Sequence, residues 1–212
     1  MARELTADLL MTAYAAGVFP MSESRHDDEI FWVDPRNRGI IPLDGFRISR
    51  SLAKVLRQER FAVTVNEDFA GVLEGCADRE ETWINGPIAR LYTELHRSGR
   101  AHSLEVRREG RLMGGVYGVV QGGAFFGESM FSRSRDASKV ALAHLVDRLR
   151  RGGFTLFDTQ FLTPHLASLG GIEVPRAQYR AMLARALAVN ADFLGPGPAT
   201  GQEVMQRSAQ TS

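Results

Sequence analysis

The chain has 212 residues, 44% apolar and 24% charged, with a formal net charge of +1; that is enough for one good core and a small appendage, and too little for two full domains. Its single cysteine, Cys76, excludes an intramolecular disulfide and fits a reducing cytosol. Glu4 and Asp8 interrupt the apolar N-terminus, which excludes a secretory leader, and no run reaches the roughly 20 apolar residues that span a bilayer, so the expectation is a cytoplasmic protein with no membrane role.

In chain order, the pattern predicts an amphipathic helix over 6–16, with Leu9, Leu10 and Ala13 on one face and Gly17 as its stop. Phe19-Pro20 opens an irregular stretch, 23–29 is a charged surface loop, and Phe31-Trp32-Val33 is a short strand closed by Asp34-Pro35, where a small N-terminal lobe (1–35) ends. Ser49 caps a helix over 50–58, 61–65 is a strand, and Asn66 caps a helix that buries Phe69, Val72, Leu73 and Cys76. Asn85-Gly86-Pro87 starts a helix with Ile88, Leu91, Tyr92 and Leu95 as its stripe. An alternating strand over 102–107 leads into a hairpin, 113–120 and 124–126, around Gln121-Gly122-Gly123. The longest helix covers 136–151 and stops at Gly152-Gly153; a strand over 154–161 and helices over 164–169 and 175–188 follow. The polar, breaker-rich end, 195–212, reads as a flexible tail. This segregation of elements predicts an α+β fold with a mixed sheet.

Three constellations carry chemistry. Glu128 lies inside the apolar run Phe125-Phe126-Gly127-Glu128-Ser129-Met130-Phe131, where a lone charge needs a partner or a task. Asp158 and Gln160, two apart on one strand, share a face: they either build a polar site or are two solvated groups at a strand edge. Arg47, Arg50, Lys54 and Arg57 recur at helical spacing, either as a solvated face or as a phosphate-tracking surface, to which Arg133, Arg135 and Lys139 add charge. Trp83, in a loop before a helix, either packs in the core or stacks on a base, and Trp32 reads as packing. Cys76 reads as a core thiol, and His26, His96, His102, His144 and His165 lack metal-ligand spacing, so neither a metal nor a cofactor is expected. His165 either helps build the site or only packs and caps.

Joint order then adds information that no single string carries. Ala13-Tyr14 with Gly17-Val18-Phe19-Pro20, Ile48-Ser49-Arg50-Ser51, Glu74-Gly75-Cys76-Ala77, Thr82-Trp83-Ile84, Ala101-His102-Ser103, Gly114-Gly115-Val116-Tyr117-Gly118-Val119, Gly127-Glu128-Ser129-Met130-Phe131-Ser132, Ala137-Ser138-Lys139, Asp158 with Gln160, and Ala167-Ser168-Leu169-Gly170 follow one another along the chain. In this the chain resembles the leucyl/phenylalanyl-tRNA–protein transferases over most of its length, as a short form without the Gly-rich lead segment of longer members.

The resemblance implies an acyl-CoA N-acyltransferase-like (GNAT-like) domain over 36–194 behind the small lobe. It implies transfer of leucine or phenylalanine from leucyl-tRNA or phenylalanyl-tRNA to the N-terminal amine of proteins that begin with Arg or Lys, which marks them for N-degron degradation. It implies that Asp158 orients Gln160 as proton acceptor or positioning group, and that Glu128 is the acidic group of the acceptor site. Val116, Phe125, Met130, Leu145 and Phe157 fall at donor-pocket positions, and Val116 and Leu145 are smaller than the family's residues there. Trp83 and Met21 fall beside the terminal adenosine, Met21 in place of a tryptophan, and Arg50 and Lys54 fall in the basic cluster that tracks the tRNA stem. Thr163 replaces an asparagine beyond Gln160. An ordinary acyl-CoA N-acetyltransferase is the first rival, although the segment 131–138 before the long helix has no glycine for a pyrophosphate turn. A non-catalytic RNA-binding module is the second.

Overall fold

The computed structural model describes residues 5–27 and 29–210; position 28 of the charged loop, residues 1–4 and the last two residues of the polar end lie outside the described residues. Helix α1 (Ala7–Ala15) begins where Thr6 accepts the Leu9 N–H at 3.2 Å, and it ends before Gly17 at φ +83°. Strands β1 (Phe19–Met21) and β2 (Phe31–Val33) pair antiparallel as a separate ribbon, so Phe19-Pro20 opens a strand and not an irregular stretch. Trp32 on this ribbon is exposed, against the expectation that it packs.

The other strands form one seven-stranded sheet: β3 (Asn37–Ile40), β4 (Ala62–Val65), β5 (Ala101–Arg108), β6 (Arg111–Gln121), β7 (Ala124–Ser132), β8 (Leu156–Gln160) and β9 (Ile172–Pro175), in the order β4-β5-β6-β7-β8-β3-β9. Among the described residues only β7 and β8 pair in parallel, joined across one face by α5 (Ala137–Arg151). With α1, helices α3 (Phe69–Ala77), α4 (Gly86–Arg97) and α7 (Arg176–Leu187) bury their apolar stripes in one core, which includes Tyr14, Tyr92, Tyr117 and Tyr179. Helices α2 (Arg50–Arg57), α5, α6 (Pro164–Ser168) and α8 (Gly201–Ala209) supply the second core. The result is a mixed α+β architecture with helices on both faces of a mixed sheet, and no helix among the described residues is long and apolar enough to cross a membrane.

Double coverage changes β5. Its first six residues are all buried, so it does not alternate. The buried Glu105 is satisfied by Ser103 Oγ at 2.5 Å and Thr64 Oγ1 at 2.7 Å. Asn66 sits at φ +59° and accepts the Ser103 N–H at 2.9 Å, which leaves Asp68 to cap α3 through the Gly71 N–H at 2.9 Å. The polar end is not a tail throughout. Thr200 and Glu203 form a capping box, Val204 is buried against the second core, and Arg207 binds Asp147 of α5 at 2.5 Å.

Candidate active site

The parallel ladder of β7 and β8 runs from Ala124↔Leu156 to Phe126↔Asp158 and stops there. At this end of the ladder both strands line a cavity of about 270 Å³, β7 with Gly127, Glu128, Ser129 and Met130, β8 with Phe157, Thr159 and Gln160. A site at the carboxyl ends of parallel strands is where an open sheet leaves room for a ligand. Val116, Leu142 and Leu166 complete an apolar wall, and Met21, Trp83, Arg79, Phe161 and Thr163 form the rest of the lining.

Two local irregularities aim the polar side chains. The β6–β7 register passes from Gly118↔Gly127 to Tyr117↔Ser129, so Glu128 is the unpaired residue of a β-bulge. The bulge turns Glu128 to the side of Tyr14 and Tyr92. Its Oε1 accepts from the Tyr14 hydroxyl at 2.7 Å, and its Oε2 accepts from the Tyr92 hydroxyl at 2.8 Å and from Gln160 Nε2 at 3.0 Å. Burial pushes the Glu128 carboxyl up to about 7, a rise that the Gln160 donor opposes and the nearby Asp158 reinforces.

Gln160 closes β8 at φ +64°, a left-handed conformation that a long side chain adopts only where the surroundings hold it. Its N–H is fixed by Asp158 Oδ1 at 2.8 Å. Asp158 is in turn held by Arg38, with Nε at 2.9 Å from Oδ1 and Nη2 at 2.7 Å from Oδ2, and by the Tyr179 hydroxyl at 2.6 Å. The Arg38 guanidinium lies between the Phe19 and Tyr179 rings, 4.5 Å from each centroid. Gly39 permits the backbone just after Gln160 to pack close, since a Cβ there would lie 2.5 Å from the Phe161 carbonyl carbon.

The expected residues therefore fall into three groups. Glu128, Gln160, Val116, Met130, Phe157, Met21 and Trp83 meet around one cavity, with Trp83 edge-on to Tyr92 at 6.3 Å. Asp158 does not line it: the residue is fully buried, its oxygens are engaged by Arg38, Tyr179 and the Gln160 backbone, and it shares no open face with Gln160. Phe125 and Leu145 do not line it either. Phe125 stands behind Phe157, with ring centroids 5.5 Å apart, and Leu145 is buried in the second core, where Leu142 reaches the cavity instead. Arg47, Arg50, Lys54 and Arg57 are exposed on and just before α2, outside the cavity. Arg133, Arg135 and Lys139 are partly neutralised by Asp78 and Asp136, at 3.6, 3.8 and 3.2 Å.

Tyr14, Tyr92, Arg38, Tyr179 and Arg79 were not anticipated as site residues. An arginine inside the short run Arg38-Gly39-Ile40-Ile41 is the one available signal, because a cation there must find a buried partner. Cys76 is inert, its thiol buried and pushed up to about 12. His165 flanks a neighbouring pocket with Arg79 and Met130 and does not reach the main cavity. A larger cleft of about 560 Å³, between β4 and residues 194–199, contains none of Glu128, Asp158 and Gln160.

Comparison with known proteins places this geometry in a family. The profile described as leucyl/phenylalanyl-tRNA protein transferase matches residues 40–184, and that family's N-terminal domain profile matches residues 3–36. A leucyl/phenylalanyl-tRNA–protein transferase of Ruegeria sp. (strain TM1040) is 66% identical, across 98% of this chain and 99% of its own length. One of Cereibacter sphaeroides (strain ATCC 17025 / ATH 2.4.3) is also 66% identical, across 98% of each chain. Among solved structures, the crystal structure of FemX aligns with a TM-score of 0.50 and 12% identity, covering 85% of this chain and 73% of that one, which is a likeness of fold. The chain belongs to the leucyl/phenylalanyl-tRNA protein transferase family.

Proposed function

We propose that this protein moves leucine or phenylalanine from the 3′ end of charged tRNA to the α-amine of proteins that begin with Arg or Lys, in the cytoplasm, and so marks them for N-degron degradation. The observation that carries this reading is the cavity at the end of the β7–β8 ladder, with an apolar wall on one side and Glu128 and Gln160 on the other. The apolar wall of Val116, Met130, Leu142, Phe157 and Leu166 suits one large uncharged side chain, and the polar wall suits an amine.

An aminoacyl ester is already activated, so alignment and proton transfer are what the protein has to supply. The amine nitrogen bonds to the ester carbonyl carbon and the bond to the ribose 3′ oxygen breaks. The nitrogen loses a proton and the departing oxygen gains one. Gln160 Nε2 donates to Glu128, which leaves the Gln160 carbonyl oxygen as an acceptor to orient the amine. Asp158 is a positioning residue, acting through the Gln160 backbone. Trp83 and Met21 at the rim suit the terminal adenosine, and the exposed cations of α2, with Arg47, suit the phosphates of the acceptor stem. We assign residues 36–194 to an acyl-CoA N-acyltransferase-like fold behind a small N-terminal lobe (1–35), a reading supported by the parallel pair that ends at the cavity.

The test incubates the protein with radiolabelled phenylalanyl-tRNA or leucyl-tRNA and peptides that differ at their first residue. Label in Arg- and Lys-initiated peptides, with none in N-acetylated copies, is the expected outcome. Absence of label in all peptides contradicts the reading.

A further inference from the structure

Glu128, Tyr14 and Tyr92 make three mutual contacts: Tyr14 to Tyr92 at 2.7 Å, Tyr14 to Oε1 at 2.7 Å and Tyr92 to Oε2 at 2.8 Å. Each is a hydrogen-bond distance and each needs one proton. The two hydroxyls carry one proton apiece and keep them, since burial and the neighbouring Glu128 raise both phenols well above their ordinary value. An ionised Glu128 adds none. If both hydroxyls then point at the carboxylate, the phenol oxygens face each other at 2.7 Å with no proton between them. A protonated Glu128 closes the ring: Oε1–H donates to Tyr14, Tyr14 donates to Tyr92, and Tyr92 donates to Oε2. Gln160 fixes this direction, because its Nε2–H already requires Oε2 to be an acceptor.

We propose that Glu128 is the proton acceptor of the transfer, and that Tyr14 and Tyr92 are positioning residues that raise its proton affinity by forming with it a ring complete only when Glu128 is protonated. The proposal rests on the transferase reading of the cavity, which Glu128 lines. An ionised carboxylate has about four lone-pair sites. Tyr14, Tyr92 and Gln160 fill three, and the fourth remains for the amine. As the nitrogen bonds to the carbonyl carbon, its proton passes to Glu128 and the ring closes. As the ester bond breaks, the same proton leaves for the ribose 3′ oxygen and the ring opens. The other ionisable groups around Glu128 are Asp158 on β8, Arg38 on β3, Tyr117 on β6 and, in the cavity lining, Arg79, whose guanidinium is engaged by the Met130 carbonyl. Asp158 and Arg38 neutralise each other, and among the described residues Tyr117 Oη has no hydrogen-bond partner, so none of these bears on the proton count.

The experiment is a carbon-13 NMR titration of the side-chain carboxyls in glutamate-labelled protein, with the Glu128 signal assigned by its loss in Glu128→Gln. The ring predicts a wild-type midpoint near neutrality and lower midpoints in Tyr14→Phe and Tyr92→Phe, because either variant removes the vacant contact that penalises the ionised form. Were the hydroxyls ordinary donors to a carboxylate, removing one would raise the midpoint; a raised or unchanged midpoint in either variant overturns the ring. Two isosteric variants, each checked by circular dichroism, keep the comparison valid if one fails to fold. Single-turnover transfer tests the second half. The pH limb of the rate follows the NMR midpoint from wild type to Tyr92→Phe if Glu128 accepts the proton, and a limb that stays in place overturns that role. The titration reads the free protein, so its failure is distinguishable from failure of the transferase reading.

Discussion

Arg38 holds Asp158 along one edge of its guanidinium: Nε lies 2.9 Å from Oδ1 and Nη2 lies 2.7 Å from Oδ2, with side chains 1% and 0% exposed. The pair joins β3 to β8, and through the Asp158–Gln160 bond it fixes the residue at the cavity. Removing one partner leaves the other charge buried and unpaired, which costs about 3–5 kcal/mol. Arg38→Met should show a loss of this size in urea unfolding. Arg38→Lys should recover only part of it, because an ammonium cannot span both oxygens.

Glu128 makes stability depend on pH with a defined sign. Its folded-state value, about 7, lies above the ordinary carboxylate range. Between roughly pH 4.3 and 7 the folded protein therefore holds a proton that the unfolded chain releases, and stability falls as pH rises through that window. The full shift corresponds to at most about 4 kcal/mol. Glu128→Gln has no such proton. Urea unfolding at pH 4.5, 6 and 8 should show the wild type losing stability relative to the variant by pH 8.

Gly39 provides a local test of how the Gln160 turn is held. A methyl group at position 39 would overlap the Phe161 carbonyl carbon, at 2.5 Å, and the Leu162 nitrogen, at 2.7 Å. Both are backbone atoms, so the turn must shift. Gly39→Ala should lower the single-turnover transfer rate at least tenfold with tRNA affinity unchanged, since small misplacement of aligned groups is expensive in rate.

The exposed cations of α2 should act through charge alone. Arg50→Ala combined with Lys54→Ala should weaken tRNA binding and flatten its dependence on log salt by roughly 0.7–0.9 per lost phosphate contact. The transfer rate of bound substrate should stay nearly constant. Filter binding at several salt concentrations checks the first expectation, and single turnover checks the second.

What was legible in the sequence follows from how each element declares itself. Ser49 and Asn85 cap the helices they were expected to cap, through the Leu52 N–H at 3.2 Å and the Ile88 N–H at 2.8 Å, because capping is a local interaction. The apolar stripes of α3, α4 and α5 are periodic and read directly. Strands β3 and β9 are four residues each, and β3 carries Asn37, Arg38 and Gly39, so neither shows strand periodicity. Arg38 belongs in the sheet only because Asp158, 120 positions away, neutralises it. The bulge at Glu128 and the left-handed turn at Gln160 are equally invisible to a period-2 pattern, and they decide where both side chains point. In the polar end, composition concealed α8, whose stability comes from the Thr200–Glu203 box and from Arg207 on Asp147.

The central claim is that the Gln160 and Glu128 side of the cavity performs the transfer. The direct measurement is the single-turnover rate of phenylalanine transfer from phenylalanyl-tRNA to an Arg-initiated peptide, in wild type and Gln160→Ala, with tRNA affinity measured alongside. The account predicts transfer by the wild type and a loss of at least tenfold in the variant with affinity unchanged. A Gln160→Ala protein that transfers at the wild-type rate would contradict it.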